Sequence, residues 1–170
     1  AVIATTWATM MACGTHWYEK EAKRIHDVLL TNKVNYWTGS KCKEFEEKFS
    51  IKFQQKFSIA LMNGSVALTS AYKSLDLNSN DEVITTPRTF LATTSAMQIL
   101  GVKPVFVDVC RDSGCITPEN IEKAITKKTK AISVVHLGGW PADMLSICSL
   151  AKKYNLKVIE DCSQAHGAKI

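Results

Sequence analysis

The sequence predicts an α/β protein with three layers, in the order α/β/α, around a mainly parallel sheet. Along its 170 residues, short apolar runs rich in Val and Ile alternate with segments whose apolar residues recur at helical spacing. Short continuous apolar runs are typical of strands buried on both faces. Because strand–helix–strand alternation requires right-handed crossovers, we expect parallel strands with helices on both faces of the sheet.

Five apolar runs are predicted to be strands, and they comprise residues 57–62, 82–85, 104–109, 131–136 and 157–160. Apolar stripes predict three helices among them, around residues 68–75, 121–125 and 144–151. Thr117 followed by Pro118 is a typical helix start, with an N-cap and then proline at the first helical position. Two further helices are predicted near the beginning of the chain, around residues 22–29 and 42–49.

Composition and charge exclude several classes of protein. The chain is 46% hydrophobic and 22% charged, as is usual for a soluble globular domain, and it has no apolar run long enough to span a bilayer. The net charge is +5, but the lysines are scattered and form no basic stripe, so we expect neither a nucleic-acid nor a membrane partner.

Six cysteines occur, and none forms a C-x-x-C pair, so no metal site is expected. Several of them stand among apolar residues, which predicts free, buried thiols in a reducing cytosol. The first 13 residues contain no Lys or Arg and therefore lack the basic start of a signal peptide, so we expect a cytoplasmic protein.

Ligands of an open parallel α/β sheet bind beyond the carboxyl ends of its strands, so the residues after each predicted strand are candidates for a site. One candidate is Gly64 and Ser65, where a strand is predicted to end and a helix to begin at about Ser65. Free N–H groups and the helix dipole favour an anion such as a phosphate there. The structural alternative is an ordinary cap of the helix by Ser65 or Asn63.

A second candidate is the pair of carboxylates Glu160 and Asp161 at the end of the last strand. Their side chains are expected on opposite faces of the strand and therefore in different sites. Asp161 could pair with a cationic ligand, act as a base, bind a metal ion, or cap the loop that follows it.

A third candidate is Phe90, just past another strand, because an aromatic ring there can stack on a planar ligand. Its structural alternative is a place in the core. His136 ends a further strand and is expected to face the same region, although a single histidine is more often held by structural hydrogen bonds.

These motifs together resemble one family, the DegT/DnrJ/StrS group of sugar aminotransferases. The resemblance extends over about residues 17–170, and its motifs occupy residues 37–39, 44–46, 63–68, 81–84, 89–93, 101–108, 129–132, 135–144 and 160–168. It implies the fold-type-I architecture of enzymes that depend on pyridoxal 5′-phosphate. Residues 17–170 would be the N-terminal part of the large, cofactor-binding domain, without its remainder and without the small C-terminal domain. Residues 1–16 would be an unassigned extension.

The resemblance also assigns roles to the candidate residues. It implies that Gly64 and Ser65 hold the cofactor phosphate, that Phe90 stacks on the pyridine ring and that Asp161 pairs with the ring nitrogen. Gln164 would approach the ring hydroxyl. A carboxylate beside the nitrogen keeps it protonated, which lets the ring draw electrons from the substrate.

The function implied is transfer of an amino group, with glutamate as donor, to a keto group of a nucleotide-linked sugar. The family acts as homodimers and supplies polysaccharide and antibiotic pathways. The lysine that carries the cofactor as a Schiff base is expected beyond Ile170, and Lys169 stands too near Gln164 to replace it. Residues 1–170 are therefore expected to contain no catalytic residue and to be inactive alone.

Three alternatives remain. The first is a dehydratase of the same family, in which histidine replaces the lysine and the sugar loses a hydroxyl group. The second is a truncated, non-catalytic paralogue that binds the cofactor, a sugar nucleotide or a partner subunit. The third is a generic flavodoxin-like binding domain, which the lack of a flavin phosphate loop and the number of family motifs disfavour.

Overall fold

The structure is a computed structural model, and it describes residues 2–3 and 19–169. The chain divides into two compact units. The smaller unit comprises residues 13–62, and the larger one comprises residues 63–170 together with the first twelve residues.

The larger unit contains a five-stranded sheet in which every neighbouring pair of strands is parallel. The strands are β1 (Val2–Ile3), β2 (Glu82–Thr85), β3 (Lys103–Phe106), β4 (Thr129–Val135) and β5 (Lys157–Asp161), in the spatial order β1-β5-β4-β2-β3. In the pairing of β4 with β5, Val135 lies beside Asp161. The carboxyl ends of the central strands therefore meet at one edge of the sheet.

Six α-helices are described, two in the smaller unit and four in the larger. They are α1 (Glu19–Leu30), α2 (Lys41–Lys52), α3 (Gly64–Lys73), α4 (Ala92–Ile99), α5 (Pro118–Ala124) and α6 (Met144–Lys153). None of the helices in the described chain is both long enough and apolar enough to cross a membrane.

Two separate apolar cores cover the two faces of the sheet, because successive side chains of a strand point to opposite faces. Val83 packs with residues of α3 and α4, including Tyr72 and Met97. Its neighbour Ile84 packs with residues of α5 and α6, including Ile147. The predicted three-layer α/β/α architecture with a parallel sheet is therefore confirmed.

The predicted start of α5 is also confirmed. Thr117 has extended backbone and its hydroxyl accepts from the Asn120 N–H at 3.4 Å, with Pro118 as the first helical residue. The side chain of Asp143 caps α6 in the same way, accepting from the Ser146 N–H at 3.1 Å.

The prediction of a strand at residues 57–62 is wrong. In the smaller unit this segment is held to α2 by side chains and does not pair with a strand: the Ala60 N–H donates to Glu46 at 2.7 Å, and the Ser50 and Ser58 hydroxyls lie 2.9 Å apart. Its apolar side chains are largely exposed, as at Phe57. Apolar character alone therefore did not identify a strand here, whereas α1 and α2 form where helical spacing predicts them.

Two features of the larger unit also differ from the prediction. Strand β3 ends at Phe106 and not at Val109, and Val109 pairs instead with Ile116 in an isolated antiparallel bridge. As the last strand of the sheet, β3 is also not buried on both faces. Helix α4 was not predicted, since its buried residues are mostly small or polar, as Thr93 is.

The prediction of free, buried cysteine thiols is only partly confirmed. The five in the described chain are free thiols, but Cys42 and Cys148 are exposed, and of the five only Cys115 is fully buried. Cys42 and Cys148 lie on the outer sides of α2 and α6, where an apolar neighbourhood in sequence does not produce burial. Cys13 lies outside the described residues.

Candidate functional site

A cavity of about 360 Å³ opens at the carboxyl ends of β4 and β5 and beside the loop that follows β2. All five residues predicted to bind the ligand line it, namely Gly64, Ser65, Phe90, Asp161 and Gln164. They come from three separate parts of the chain. The topology therefore brings the predicted set together in one place, at the edge of the sheet where a parallel α/β fold binds ligands.

One wall of the cavity is the N-terminus of α3. Asn63 has extended backbone, and its side chain accepts from the Val66 N–H at 3.0 Å, while its carbonyl accepts from the Ala67 N–H at 3.0 Å. Asn63 is therefore the cap, as the structural alternative proposed. The two preceding N–H groups, of Gly64 and Ser65, come before the first intrahelical bond and remain available to an anion.

Asp161 lines the cavity and is only 6% exposed as a residue. Its Oδ1 accepts from the main-chain N–H of Ser163 at 3.1 Å and from the Ser163 hydroxyl. Its Oδ2 accepts from the Thr93 hydroxyl at 3.3 Å, and that hydroxyl lies 2.9 Å from the Thr89 hydroxyl. Asp161 thus caps the loop after β5 and at the same time presents a fixed carboxylate to the cavity.

No cationic side chain within the described chain forms an ion pair with Asp161. Nearby, the Tyr72 hydroxyl bonds the Ser133 hydroxyl at 2.7 Å. Burial raises the pKa of Tyr72, and the charge of Asp161 adds to that increase, so Tyr72 stays neutral. A buried carboxylate surrounded only by neutral donors favours a ligand that brings positive charge.

Phe90 stands at the rim of the cavity in the loop between β2 and α4 and is 71% exposed. The structural alternative, a place in the core, is therefore wrong for this ring. An exposed aromatic ring beside a cavity is available to stack on a planar ligand.

Gln164 also lines the cavity, and a hydrogen bond from the main chain orients its amide. Its Oε1 accepts from the Gly138 N–H at 2.6 Å. Gly138 belongs to the short 3₁₀ turn Leu137–Gly139, which directly follows His136.

His136 lines the cavity but is held by structural hydrogen bonds. Its Nδ1 accepts from the Ala142 N–H at 3.1 Å, so Nε2 carries the proton of the neutral ring and donates to Glu160 at 3.2 Å. Glu160 faces away from Asp161 and does not line the cavity, which confirms that the two carboxylates serve different places.

His136, Glu160 and Cys162 bring possible metal-binding atoms within 4.8 Å of one another. Their protonation disfavours a metal ion, however. A ligating imidazole needs a free nitrogen lone pair, and here one nitrogen accepts a main-chain hydrogen bond while the other donates. Burial raises the pKa of the Cys162 thiol to about 12, with Glu160 and Asp161 adding to it, so without a metal ion the sulfur keeps its proton.

Three polar residues of the site were given no role from the sequence, namely Thr89, Thr93 and Ser163. Ser163 carried a usable signal, because an Asp side chain commonly accepts from the N–H two residues later. Thr93 carried none, since it lies 68 residues from Asp161 in sequence.

Comparison with known proteins agrees with this geometry. The model of the DegT/DnrJ/EryC1/StrS aminotransferase family matches residues 16–170. The dTDP-3-amino-3,6-dideoxy-α-D-galactopyranose transaminase of Aneurinibacillus thermoaerophilus is 43% identical over 151 residues, which are 89% of this chain and 41% of the relative.

Solved structures are similar as well. The aminotransferase from Psychrobacter cryohalolentis is 51% identical, with a TM-score of 0.89 over 91% of this chain and 39% of that one. The GDP-4-keto-6-deoxy-D-mannose-3-dehydratase of E. coli, with bound hydrated PLP, is 27% identical, with a TM-score of 0.79 over 87% of this chain and 39% of that one. The chain thus spans about two fifths of the length of these proteins. The resemblance and the family's cofactor, pyridoxal phosphate, are confirmed.

Proposed function

Because the chain belongs to the DegT/DnrJ/EryC1/StrS aminotransferase family, we propose that its cavity binds pyridoxal 5′-phosphate and that the whole protein transfers an amino group to a nucleotide-linked keto-sugar. The observation that carries the proposal is the buried carboxylate of Asp161, which has neutral donors around it and, among the described residues, no cationic side chain paired with it. A protonated pyridine nitrogen is a cationic N–H donor that would complete this arrangement.

The other lining residues fit the same cofactor. Gly64 and Ser65 offer two N–H groups and a hydroxyl at the positive end of α3, where a phosphate is favoured. Phe90 would lie over the ring, and Gln164 would meet the ring hydroxyl. Each of these groups matches the chemistry of the part of the cofactor that it would contact.

When bound, the pyridinium ring supplies an electron sink for the substrate carbon that loses a proton. The chain's own residues create the conditions for this. Asp161 would hold the proton on the ring nitrogen, and Thr93 and Ser163 hold Asp161 in place. Phe90 would cover one face of the ring, and Gly64 and Ser65 would hold the phosphate.

No lysine lines the cavity in the part of the chain that the structure describes. Transamination needs an amine that bonds covalently to the cofactor and then moves a proton. We therefore propose that residues 1–170 bind the cofactor and do not catalyse transamination by themselves. We also propose, from the family resemblance, that residues 1–16 are an extension and that residues 17–170 are the N-terminal part of the large domain.

The same family supports proposals about the substrate, the partners and the location. We propose a nucleotide-linked keto-sugar as acceptor, glutamate as amino donor, a homodimer as the assembly, the cytoplasm as the compartment and polysaccharide biosynthesis as the pathway class. The similarity to a transaminase of a dTDP-linked amino sugar supports the acceptor class.

A second candidate is dehydration of a nucleotide-linked sugar, which the structural similarity to the E. coli dehydratase favours. The two functions differ in what happens to an amino donor. Incubation of the whole protein with a keto-sugar nucleotide and ¹⁵N-glutamate gives a ¹⁵N-labelled amino sugar in the first case. In the second case a hydroxyl group is lost and no label enters the sugar.

Cofactor binding can be tested on residues 1–170 with pyridoxine 5′-phosphate, which lacks the aldehyde and therefore does not react with surface lysines. Calorimetric titration should show binding by the unaltered chain. Asp161→Asn should weaken it by about tenfold or more, because a charged hydrogen bond contributes about 1.5–3 kcal/mol. Asp112→Asn, at an exposed position outside the cavity, is the matched control. Failure of the unaltered chain to bind, or equal binding by Asp161→Asn, would contradict the proposal.

A further inference from the structure

The turn after β4 contains two successive glycines whose backbone is left-handed. Gly138 has φ +64° and Gly139 has φ +85°. Side chains other than hydrogen adopt such φ values only with strain. This conformation directs the Gly138 N–H to the Oε1 atom of Gln164, at 2.6 Å.

Two further side chains hold the same turn: His136, which also lines the cavity, and Cys115, which does not. His136 accepts from the Ala142 N–H at 3.1 Å, and the Cys115 thiol donates to the Trp140 carbonyl at 3.4 Å. At the other end of the turn, the His136 N–H donates to the Asp161 carbonyl at 3.2 Å, so the segment is held at both ends. The Gly138 N–H is then a fixed donor, and Gln164 has to adapt to it.

A side-chain amide has one accepting oxygen and one donating NH₂ group. Because the Gly138 N–H can only donate, it binds the oxygen of the Gln164 amide. The NH₂ group has no hydrogen-bond partner in the described chain and is available to a ligand in the cavity that Gln164 lines. An NH₂ group can pair only with a hydrogen-bond acceptor. The group of the cofactor nearest Gln164 must therefore present a lone pair to it.

We propose that the main-chain N–H of Gly138 is the positioning group that makes Gln164 a donor toward the ring oxygen of the cofactor. Oriented in this way, Gln164 favours the ionised form of the ring hydroxyl, because hydrogen bonding to a charged form stabilises it. This inference rests on the proposed function, since it requires the cofactor in the cavity.

The role of the glycines follows from the same geometry. A Cβ atom at Gly139 would lie 3.1 Å from the main-chain oxygen of Gln164, so a side chain there would displace Gln164. Gly167 provides a matched comparison. It has the same φ of +85°, but a Cβ atom there would meet no atom within 4 Å.

The test measures the pKa of the ring hydroxyl of bound pyridoxine 5′-phosphate from its ultraviolet absorbance as pH is varied. In Gln164→Glu, one carboxylate oxygen still accepts from Gly138, and the other faces the ring oxygen as an acceptor. The ring pKa should then rise by at least about one unit. Gly139→Ala should raise it in the same direction, whereas Gly167→Ala should leave it unchanged.

The outcomes separate the two proposals. If the unaltered chain does not bind pyridoxine 5′-phosphate, the proposed function itself fails. If it binds, but Gln164→Glu leaves the pKa of the ring hydroxyl unchanged, the inference about Gln164 fails and the proposed function stands. If Gly139→Ala and Gly167→Ala shift the pKa equally, the turn does not position Gln164. Circular dichroism establishes that each variant is folded, and Gln164→Glu decides the inference should Gly139→Ala not fold.

Discussion

The hydroxyl of Thr93 donates to the carboxylate of Asp161 at 3.3 Å and joins the first turn of α4 to the end of β5. Both side chains are buried. Since Oδ1 of Asp161 is already occupied by Ser163, Thr93 determines how Oδ2 is presented to the cavity. The candidate site therefore depends on a hydrogen bond between a helix and a strand that are distant in sequence.

Thr93→Val should weaken the binding of pyridoxine 5′-phosphate by roughly three- to tenfold. Valine keeps the shape of threonine but cannot donate, and one hydrogen bond contributes about 0.5–1.5 kcal/mol. Calorimetric titration measures the effect. Thr94→Val is the control, because the Thr94 hydroxyl donates only to the Leu91 carbonyl. Equal affinities of the two variants would show that the Thr93 hydroxyl does not position Asp161.

Ser65→Ala should weaken phosphate binding specifically. The variant removes one donor to a charged group, which corresponds to about tenfold in affinity. The measurement compares pyridoxine 5′-phosphate with pyridoxine, which lacks the phosphate. Only the phosphate ester should lose affinity in Ser65→Ala, and Ser70→Ala, on an exposed face of the same helix, should change neither. A loss that is equal for both ligands would place the phosphate elsewhere.

Two partly exposed cysteines should differ in their reaction with iodoacetamide. The main-chain N–H groups of Ser113 and Asp112 lower the pKa of Cys110, whereas burial raises the pKa of Cys162 to about 12. Because the thiolate is the nucleophile, Cys110 should react at least about tenfold faster at pH 8. Peptide mass spectrometry follows both sites, and the rates should become similar in guanidinium chloride. Faster labelling of Cys162 than of Cys110 in the folded chain would contradict the inference that burial raises the pKa of Cys162.

Glu82 should make the folded state sensitive to acid. The Thr126 hydroxyl donates to its carboxylate at 2.6 Å and Lys103 donates at 3.2 Å, and both bonds lower its pKa. Because the folded pKa is lower than the unfolded one, the stabilisation is complete above the ordinary glutamate pKa and is lost as pH falls through the folded value.

The free energy of unfolding, measured in urea between pH 7 and pH 3, should therefore fall less steeply for Glu82→Gln than for the unaltered chain. Glu82→Gln should also be less stable at pH 7, where the unaltered carboxylate is ionised. Asp112→Asn, an exposed carboxylate, serves as the control. Parallel curves for Glu82→Gln and the unaltered chain would show that Glu82 has no stabilising role that depends on its charge.

The sequence predicted the layers and most strands because buried parallel strands and amphipathic helices leave local patterns. Glu82–Thr85 forms the predicted strand, and Gly64 begins the helix expected near Ser65. The candidate site was predictable for a related reason. Its five residues follow strands or begin a helix, and motifs of the family mark each of them.

What could not be predicted depends on tertiary contacts. The bond between Thr93 and Asp161 joins distant parts of the chain, and the one between Gly138 and Gln164 depends on a left-handed turn. The error at residues 57–62 has a similar origin. An apolar run becomes a strand only when another strand pairs with it, and here Glu46 of α2 accepts the N–H of Ala60 instead.

The central claim is that Asp161 holds a protonated ring nitrogen in this cavity. The most direct measurement is the NMR chemical shift of the ring nitrogen in ¹⁵N-labelled pyridoxine 5′-phosphate bound to the chain. It should show a protonated nitrogen from neutral pH to about pH 8 in the unaltered chain, and loss of that proton at lower pH in Asp161→Asn. A bound ring whose nitrogen is unprotonated at neutral pH, or the same shift in Asp161→Asn, would contradict the claim.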